Sequence, residues 1–248
     1  MKVYLIRRYY NKRIHNIIHT FDLQHDEYAQ IALIINLDSL EFFDRSHPEM
    51  HAIKIDFASK KNNYRCLNFS KKNEILSKVV GIKKKYFPFV LDATAGFGKD
   101  AFILSFLGCK VLMIERHPII AALLEDGLQR GYRDKKIGHW LRKRLSFIFG
   151  DSNKMLEMPI AQPDVIYLDP MYPVCKKQVL PKKNIQFLRK LIGINNDAQY
   201  LLHIAKNLAK QRIVIKRPYH AKSISNEKAD FIIASKNHRF DIYYPYKK

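Results

Sequence analysis

Cysteine is scarce in this chain. The three present, Cys66, Cys109 and Cys175, are widely separated and odd in number, so neither a disulfide framework nor a zinc spacing follows. That usage fits a reducing cytoplasm. Long apolar runs are also missing. The stretch IALIINL (31–37) is far short of the ~20 residues that cross a bilayer. The N-terminus MKVYLIRRYYNKR has too brief an apolar core for a signal peptide. No internal repeat or low-complexity segment occurs, and no His or Cys pair has metal-ligand spacing, so no metal is expected. Acidic residues are in short supply: 23 Asp and Glu stand against 44 Lys and Arg, a net charge of +21. Such a balance opposes folding by self-repulsion and favours polyanions, nucleic acid above all.

What is present is ample material for a core. The 248 residues are 47% hydrophobic, enough for one large α/β domain and a small appendage. Residues 1–70 read as a small β-rich N-terminal domain. Its expected strands are VYLI (3–6), IALIINL (31–37), HAIKIDFA (51–58) and YRCLNF (64–69), rich in Ile, Phe and Tyr with no helical period. SKKNEILSKVVGI (70–82) reads as a helix with Ser70 as its cap, leading into a main domain over 71–248.

From residue 89 short apolar strands alternate with helices. Strands are expected at 89–93, 110–115, 145–151, 164–170 and 212–217, with 231–235 and 240–244 closing the chain as an antiparallel pair. Helices are expected at 99–108, 118–131, 184–193 and 197–210, with Gly108 stopping the first and Pro118 opening the second. This alternation predicts a doubly wound, Rossmann-like, mostly parallel seven-stranded sheet, covered on both faces.

Two constellations carry chemistry. DATAGFGKDA (92–101) lies between a strand and a helix, where such sheets bind ligands. Gly96 and Gly98 allow a tight turn and close backbone approach. The helix that follows offers free N–H groups to an anion. Gly96, Gly98 and Ala101 also fit a dinucleotide pattern. Asp92, at the strand's end, tilts the choice toward S-adenosylmethionine. A carboxylate there meets the cofactor's ammonium, whereas a pyrophosphate would meet an unwanted charge. Glu115 ends the next strand, 19 residues after Gly96, where a carboxylate accepts both ribose hydroxyls. Asp151 and Ser152 follow the third strand, beside the expected adenine, or else form a local cap.

YLDPMYP (167–173) ends the fourth strand. It resembles the Asp/Asn-Pro-Pro-Tyr/Phe signature of amino-group methyltransferases, with Met171 in place of the second proline. An exocyclic amine is a poor nucleophile, because its lone pair is delocalised into the ring. The Asp169 carboxylate and the Pro170 carbonyl can accept its two protons and turn that lone pair toward a methyl donor. Proline fixes the turn, and Tyr172 offers a face on which a base stacks. Alignment matters more here than a strong base. Lys216, Arg217, His238 and Arg239, with Lys176, Lys177, Lys182 and Lys183, are candidates for phosphate contacts. Internal pairs such as Arg239 with Asp241 are the plainer alternative. Trp140 reads as a core residue, and His117 as a residue near a helix start.

These stretches resemble the RsmJ-type bacterial ribosomal RNA methyltransferases over roughly residues 51–244. The resemblance rests on DATAGFGKDAF (92–102), GCKVLMIERHPIIAALLEDGL (108–128), VIYLDPMYP (165–173), IVIKRP (213–218) and HRFDIY (238–243). It implies a class I methyltransferase fold, S-adenosylmethionine as cofactor, and methylation of guanine N2 in small-subunit ribosomal RNA, free or in the 30S particle. It also implies cofactor contacts at Lys99 and Asp100, where the family has Arg-Asp, at Glu115 and Arg116, at Asp151 and Ser152, where the family has Ser-Ser, and at Asp169. Near NYRCLNFSKK (63–72) the family's basic and Gly-rich run is largely absent and only Arg65 survives. A DNA adenine-N6 methyltransferase, a non-catalytic RNA-binding assembly protein and an NAD-dependent enzyme are the alternatives. Oligomeric state stays open.

Overall fold

The computed structural model describes residues 1–67, 75–158, 161–171, 191, 198–221, 224, 227–236 and 238–246. The anticipated helix at 184–193 falls almost wholly outside that set.

Strand β5 (Val90–Asp92) is the pivot of a seven-stranded sheet. The chain first builds outward on one side, through β6 (Val111–Glu115) to β7 (Leu145–Phe149). It then crosses back to β8 (Val165–Leu168) and β9 (Arg212–Pro218) on the other. All four join in parallel, β6 and β8 directly to β5. The last two strands, β10 (Phe231–Ala234) and β11 (His238–Tyr243), form the expected antiparallel pair, with β11 inserted between β9 and β10. The point of reversal lies between β5 and its neighbours, which opens a crevice beyond the carboxyl ends of the strands.

Continuous apolar strands become two-faced by the pleat. Val90, Val111, Val165 and Tyr167 point into one core layer, while Leu91, Ile114, Ile166 and Leu168 point into the other. The first layer is covered by α4 (Lys99–Leu107) and α5 (Pro118–Arg133). The second is covered by a later helix, Ala198–Leu208. Helix α4 is apolar on nearly every side, as a helix buried in the layer must be. It stops at Gly108, whose φ of 120° only glycine adopts without strain. Helix α5 opens on Pro118 at its first turn, as expected.

The N-terminal segment builds a second sheet in the order β2-β1-β3-β4, from β1 (Lys2–Arg7), β2 (Gln24–His25), β3 (Ile31–Ile35) and β4 (Leu40–Asp44). Helix α1 (Lys12–Thr20) connects the parallel pair β1 and β3, with Asn11 capping it by accepting the Ile14 N–H. Two strand expectations fail. Residues 51–58 make only an isolated bridge, Ile53 to Phe42. Tyr64–Leu67, expected as strand, lies in α2 (Lys60–Leu67). Ser59 starts that helix, since its hydroxyl accepts the Asn62 N–H at 3.3 Å. Asp56 holds the preceding turn through the Ala58 N–H. Capping chemistry outweighed the β propensity of Tyr, Cys and Leu. The next helix is α3 (Ile75–Val80), within the span read as helical.

This N-terminal sheet shares the main core. Phe42 stacks on Phe97, and Phe57 on Phe102. Asp126, fully buried in α5, receives Arg13 of α1 at 2.7 Å and Arg130 at 2.9 Å. Arg130 also donates to the carbonyl of Ile55. Among the described residues the remaining helices are α6 (Gly138–Arg144), the short α7 (Ser152–Met155) and α8, the Ala198–Leu208 helix already placed. Trp140 packs on Phe102 and Phe106, as a core residue. No helix among the described residues is long and apolar enough to cross a membrane.

Candidate active site

The glycine turn is shaped by two left-handed residues. Gly96 has φ 52° and Gly98 φ 66°, a region that costs other residues roughly 1–2 kcal/mol. Gly98 is tight as well, since a Cβ there would lie 3.0 Å from Met113 Sδ and 3.2 Å from Phe57. Gly98 is also the N-cap of α4 and supplies no side-chain cap, so the first turn's N–H groups face the crevice uncapped by that residue.

Glu115, at the tip of β6, ties this turn down. Its carboxylate accepts the Gly96 N–H at 3.0 Å and the His117 N–H at 2.8 Å. Burial pushes its pKa up to about 7, and these N–H groups, with the Arg116 charge, hold it back from rising further. Arg116 itself is exposed. Asp92, at the tip of β5, is 3% exposed. It accepts the Thr94 N–H at 3.1 Å. Burial, then the nearby Asp100 and Asp169 carboxylates, push its pKa up to about 8, against the pull of Thr94 and Lys216.

The tip of β8 meets this turn directly. The backbone N–H of Asp169 donates to Thr94 Oγ1 at 2.6 Å. Beyond it four polar side chains form a chain of contacts. The Tyr167 hydroxyl donates to Asp100 Oδ2 at 2.8 Å. The Lys216 ammonium donates to the same oxygen at 2.7 Å and to Asp169 Oδ2 at 2.9 Å. Burial and then the Asp100 charge raise the Asp169 pKa above the usual carboxylate range, with Lys216 opposing. Burial works against the Lys216 ammonium, but Asp169 and Asp100 outweigh it and hold its pKa above the ordinary lysine value. Pro170 is buried just after Asp169.

The tip of β7 closes the third side. Ser152 Oγ donates to the carbonyl of Ala93 at 2.5 Å. Asp151 caps α7 by accepting the Asn153 N–H at 3.0 Å. Thus Asp92, Gly96, Gly98, Asp100, Glu115, Ser152 and Asp169 converge on one crevice. Lys99 stands at its rim, its ammonium 5.4 Å from the centre of the Phe97 ring. Tyr172, Lys176, Lys177, Lys182, Lys183 and Cys175 lie outside the described residues.

Three participants were not read from the sequence as site residues: Thr94, Tyr167 and Lys216. Lys216 was read as a phosphate contact. Its position at the end of β9, next to β8, was the available signal. Arg217 is 3% exposed, with Nη1 3.7 Å from Asp241. Arg239 forms a two-pronged pair with Asp241, at 2.8 and 3.2 Å. Both sit in internal pairs, the plainer of the two readings. Partial burial of the His238 ring, then the Lys216 charge, lowers its pKa, with Asp169 and Asp100 opposing.

Among the described residues, the crevice collects three carboxyl groups, Asp92, Asp100 and Asp169, beside the ammonium of Lys216. These acidic groups fit a cationic ligand, whose charge would draw Asp92 toward its ionised form, and the first turn of α4 fits an anionic group on it. S-adenosylmethionine, with its sulfonium, ammonium and carboxylate, has that charge pattern. Among the described residues no group of three or more His, Cys, Asp or Glu side chains is arranged to hold a metal.

Sheet order and crevice together define a Rossmann-like class I methyltransferase. A family model described as "Putative SAM-dependent methyltransferase" matches residues 16–245, and the chain belongs to that S-adenosylmethionine-dependent family. Its relatives include the ribosomal RNA small subunit methyltransferase J of Buchnera aphidicola subsp. Schizaphis graminum, 61% identical over 248 residues and the whole of both chains. The protein of the same name from Photorhabdus laumondii is 45% identical over 94% of each chain. A solved SAM-dependent methyltransferase from Neisseria gonorrhoeae superposes with a TM-score of 0.79 at 27% identity, covering 100% of this chain and 97% of the other.

Proposed function

We propose that this protein methylates the exocyclic N2 amino group of a guanine in small-subunit ribosomal RNA. The observation that carries the reading is the 2.6 Å contact between Asp169 N–H and Thr94 Oγ1. It joins the amino-group signature to the glycine turn, so a base held at one lies against a cofactor held at the other. The relatives' printed name supplies the substrate class, small-subunit ribosomal RNA. Guanine N2 comes from the resemblance of the motifs. Neither a DNA adenine-N6 enzyme nor a non-catalytic assembly protein is favoured by those relatives, and an NAD enzyme is at odds with the family.

The residues divide by chemistry. Glu115 accepts the ribose hydroxyls, with Arg116 beside it. Asp92 and Asp100 meet the cofactor's ammonium. Gly96, Gly98 and Lys99 open the first turn of α4 to its carboxylate. Asp151 and Ser152 border the adenine. When bound, S-adenosylmethionine supplies a methyl group on positively charged sulfur. Asp169 and the Pro170 carbonyl accept the two amino hydrogens and aim the nitrogen lone pair, and Tyr172 stacks on the base. The nitrogen held by Asp169 and Pro170 would take that methyl group, and the departing sulfur would keep the bonding pair. One amino proton leaves to Asp169 or water. Residues 1–70 serve as a unit appended to the catalytic domain 71–248, and the protein works in the cytoplasm.

The test is transfer of a labelled methyl group to naked small-subunit RNA and to 30S particles, with the product nucleoside identified by mass spectrometry. The wild type yields N2-methylguanosine, and Asp169→Ala loses at least about a hundredfold in rate, the scale of lost alignment. Equal rates in the two proteins overturn the role of Asp169, and N6-methyladenosine as product overturns the substrate.

A further inference from the structure

Lys216 is out of place for a residue that greets RNA phosphate. Its side chain is 19% exposed, it sits at the end of β9, and two of its three N–H bonds point at carboxylates. We propose that Lys216 is a positioning residue for methyl transfer: anchored by Asp100, it pins one oxygen of Asp169 in the ionised form and leaves the other to receive the substrate's amino group.

The geometry fixes the direction of control. Asp100 is the anchor, because its Oδ2 takes both the Tyr167 hydroxyl and the Lys216 ammonium, and its side chain is only 21% exposed. Asp169 is the working end, because its side chain is 42% exposed. The Asp169 main chain is already held by Thr94 Oγ1. With Oδ2 fixed at 2.9 Å from Lys216 Nζ, the carboxylate plane is held at a second point. Oδ1 is then the oxygen left to accept the substrate's amino group.

Charge points the same way. Asp169 faces Asp100 on α4, Asp92 on β5, Tyr167 on β8, and Lys216 and His238 on β9 and β11. Of these only Lys216 is a fixed cation. Without it Asp169 shares a half-buried site with two carboxyl groups, which favours its protonated form and weakens it as an acceptor. An opposite charge this close lowers a carboxylate pKa by about 1–3 units, so removing it shifts Asp169 upward by at least about one.

The inference rests on the methyltransferase reading, and two measurements separate its fate from that reading. One is an NMR titration of the Asp169 carboxyl carbon in cofactor-free protein. The other is the pH profile of kcat for transfer to small-subunit RNA. In Lys216→Met the titration midpoint and the acid limb both move up by about one pH unit or more. At neutral pH kcat falls about ten- to a hundredfold, while KM for RNA stays within about threefold. Lys216→Arg, which keeps the charge, returns the acid limb toward wild type. Lys216→Gln, if Met fails to fold, reports the same two shifts. An unmoved titration overturns the proposal, and so does a moved titration with an unmoved kcat profile. Absence of transfer by the wild type overturns the guanine reading instead, and the titration then still decides whether Lys216 controls Asp169.

Discussion

Glu115 and Gly96 lie on neighbouring chain crossings, and a carboxylate oxygen of the first accepts the backbone N–H of the second at 3.0 Å. The side chain proposed to grip a ribose therefore also sets the turn beneath it. Glu115→Ala removes a charged hydrogen bond in both roles, each worth about 1.5–3 kcal/mol. S-adenosylmethionine affinity should fall at least about tenfold by calorimetry, whereas Glu115→Asp, which keeps the charge but shortens the reach, should recover part of it. Unchanged affinity in Glu115→Ala would remove the residue from the cofactor site.

Buried acids make a prediction about pH. Asp92 is raised from 3.8 to about 8 and Glu115 from 4.5 to about 7, both chiefly by burial. A carboxyl whose folded pKa lies above its unfolded value binds more protons folded than unfolded. Its stabilising effect is complete below pH 4 and is lost as pH rises through 7 to 8. The cofactor-free protein should therefore lose stability from pH 5 to pH 8, as read by denaturant titration, and Asp92→Asn should flatten the slope. A cationic ligand against Asp92 lowers that pKa, so binding near pH 7 should release protons. Calorimetry in buffers of different ionisation heat measures the release; zero release would mean that Asp92 does not meet the cofactor's charge.

Asp126 links the N-terminal sheet to the main domain. It is fully buried and takes both Arg13 and Arg130. Asp126→Ala leaves two largely buried guanidinium groups without their shared anion, a loss of about 3–5 kcal/mol. Equilibrium unfolding should show it as a lower midpoint. A loss below about 1 kcal/mol would mean that water reaches the arginines.

Gly98 should be intolerant of even one methyl group. Gly98→Ala puts a Cβ at φ 66° and 3.0 Å from Met113 Sδ. Backbone strain of about 1–2 kcal/mol adds to a clash that Met113 relieves only in part. The melting temperature should drop, and cofactor affinity should drop with it. Gly150→Ala is the control. Its Cβ also comes within 3.0 Å of a methionine, but φ at Gly150 is not positive and Met155 has the flexible end to move.

The doubly wound sheet was legible because its strands are buried on both faces, and two-sided burial writes continuous apolar runs such as FVLDA (89–93). Glycine positions and strand-end carboxylates were legible for a related reason: Asp92, Glu115 and Asp169 interrupt those runs where the chain leaves the core. Thr94, Tyr167 and Lys216 were not. Tyr167 looks like any core aromatic until Asp100, 67 residues earlier, is found beside its hydroxyl. Lys216 looks like surface charge until β9 is placed next to β8. Pair partners set by sheet order have no local spacing to read. For the basic residues the sequence left phosphate contacts and internal pairs both open; Asp241 engages both Arg217 and Arg239, and the Arg239 pair lies only two residues apart. Helix α2 was missed because a single Ser59 cap starts a polar segment, KKNNYRCL, whose Tyr, Cys and Leu read as strand formers.

Alternation along β8 has one more effect. Tyr167 enters one core layer and Leu168 the other, and Asp169 leaves the sheet immediately afterwards. Sliding this strand by one residue would exchange the layers and carry Asp169 away from Thr94. The position of the Asp169 carboxylate is thus indexed by hydrocarbon packing, and an inserted residue within Val165–Leu168 should silence the enzyme even though every polar group survives.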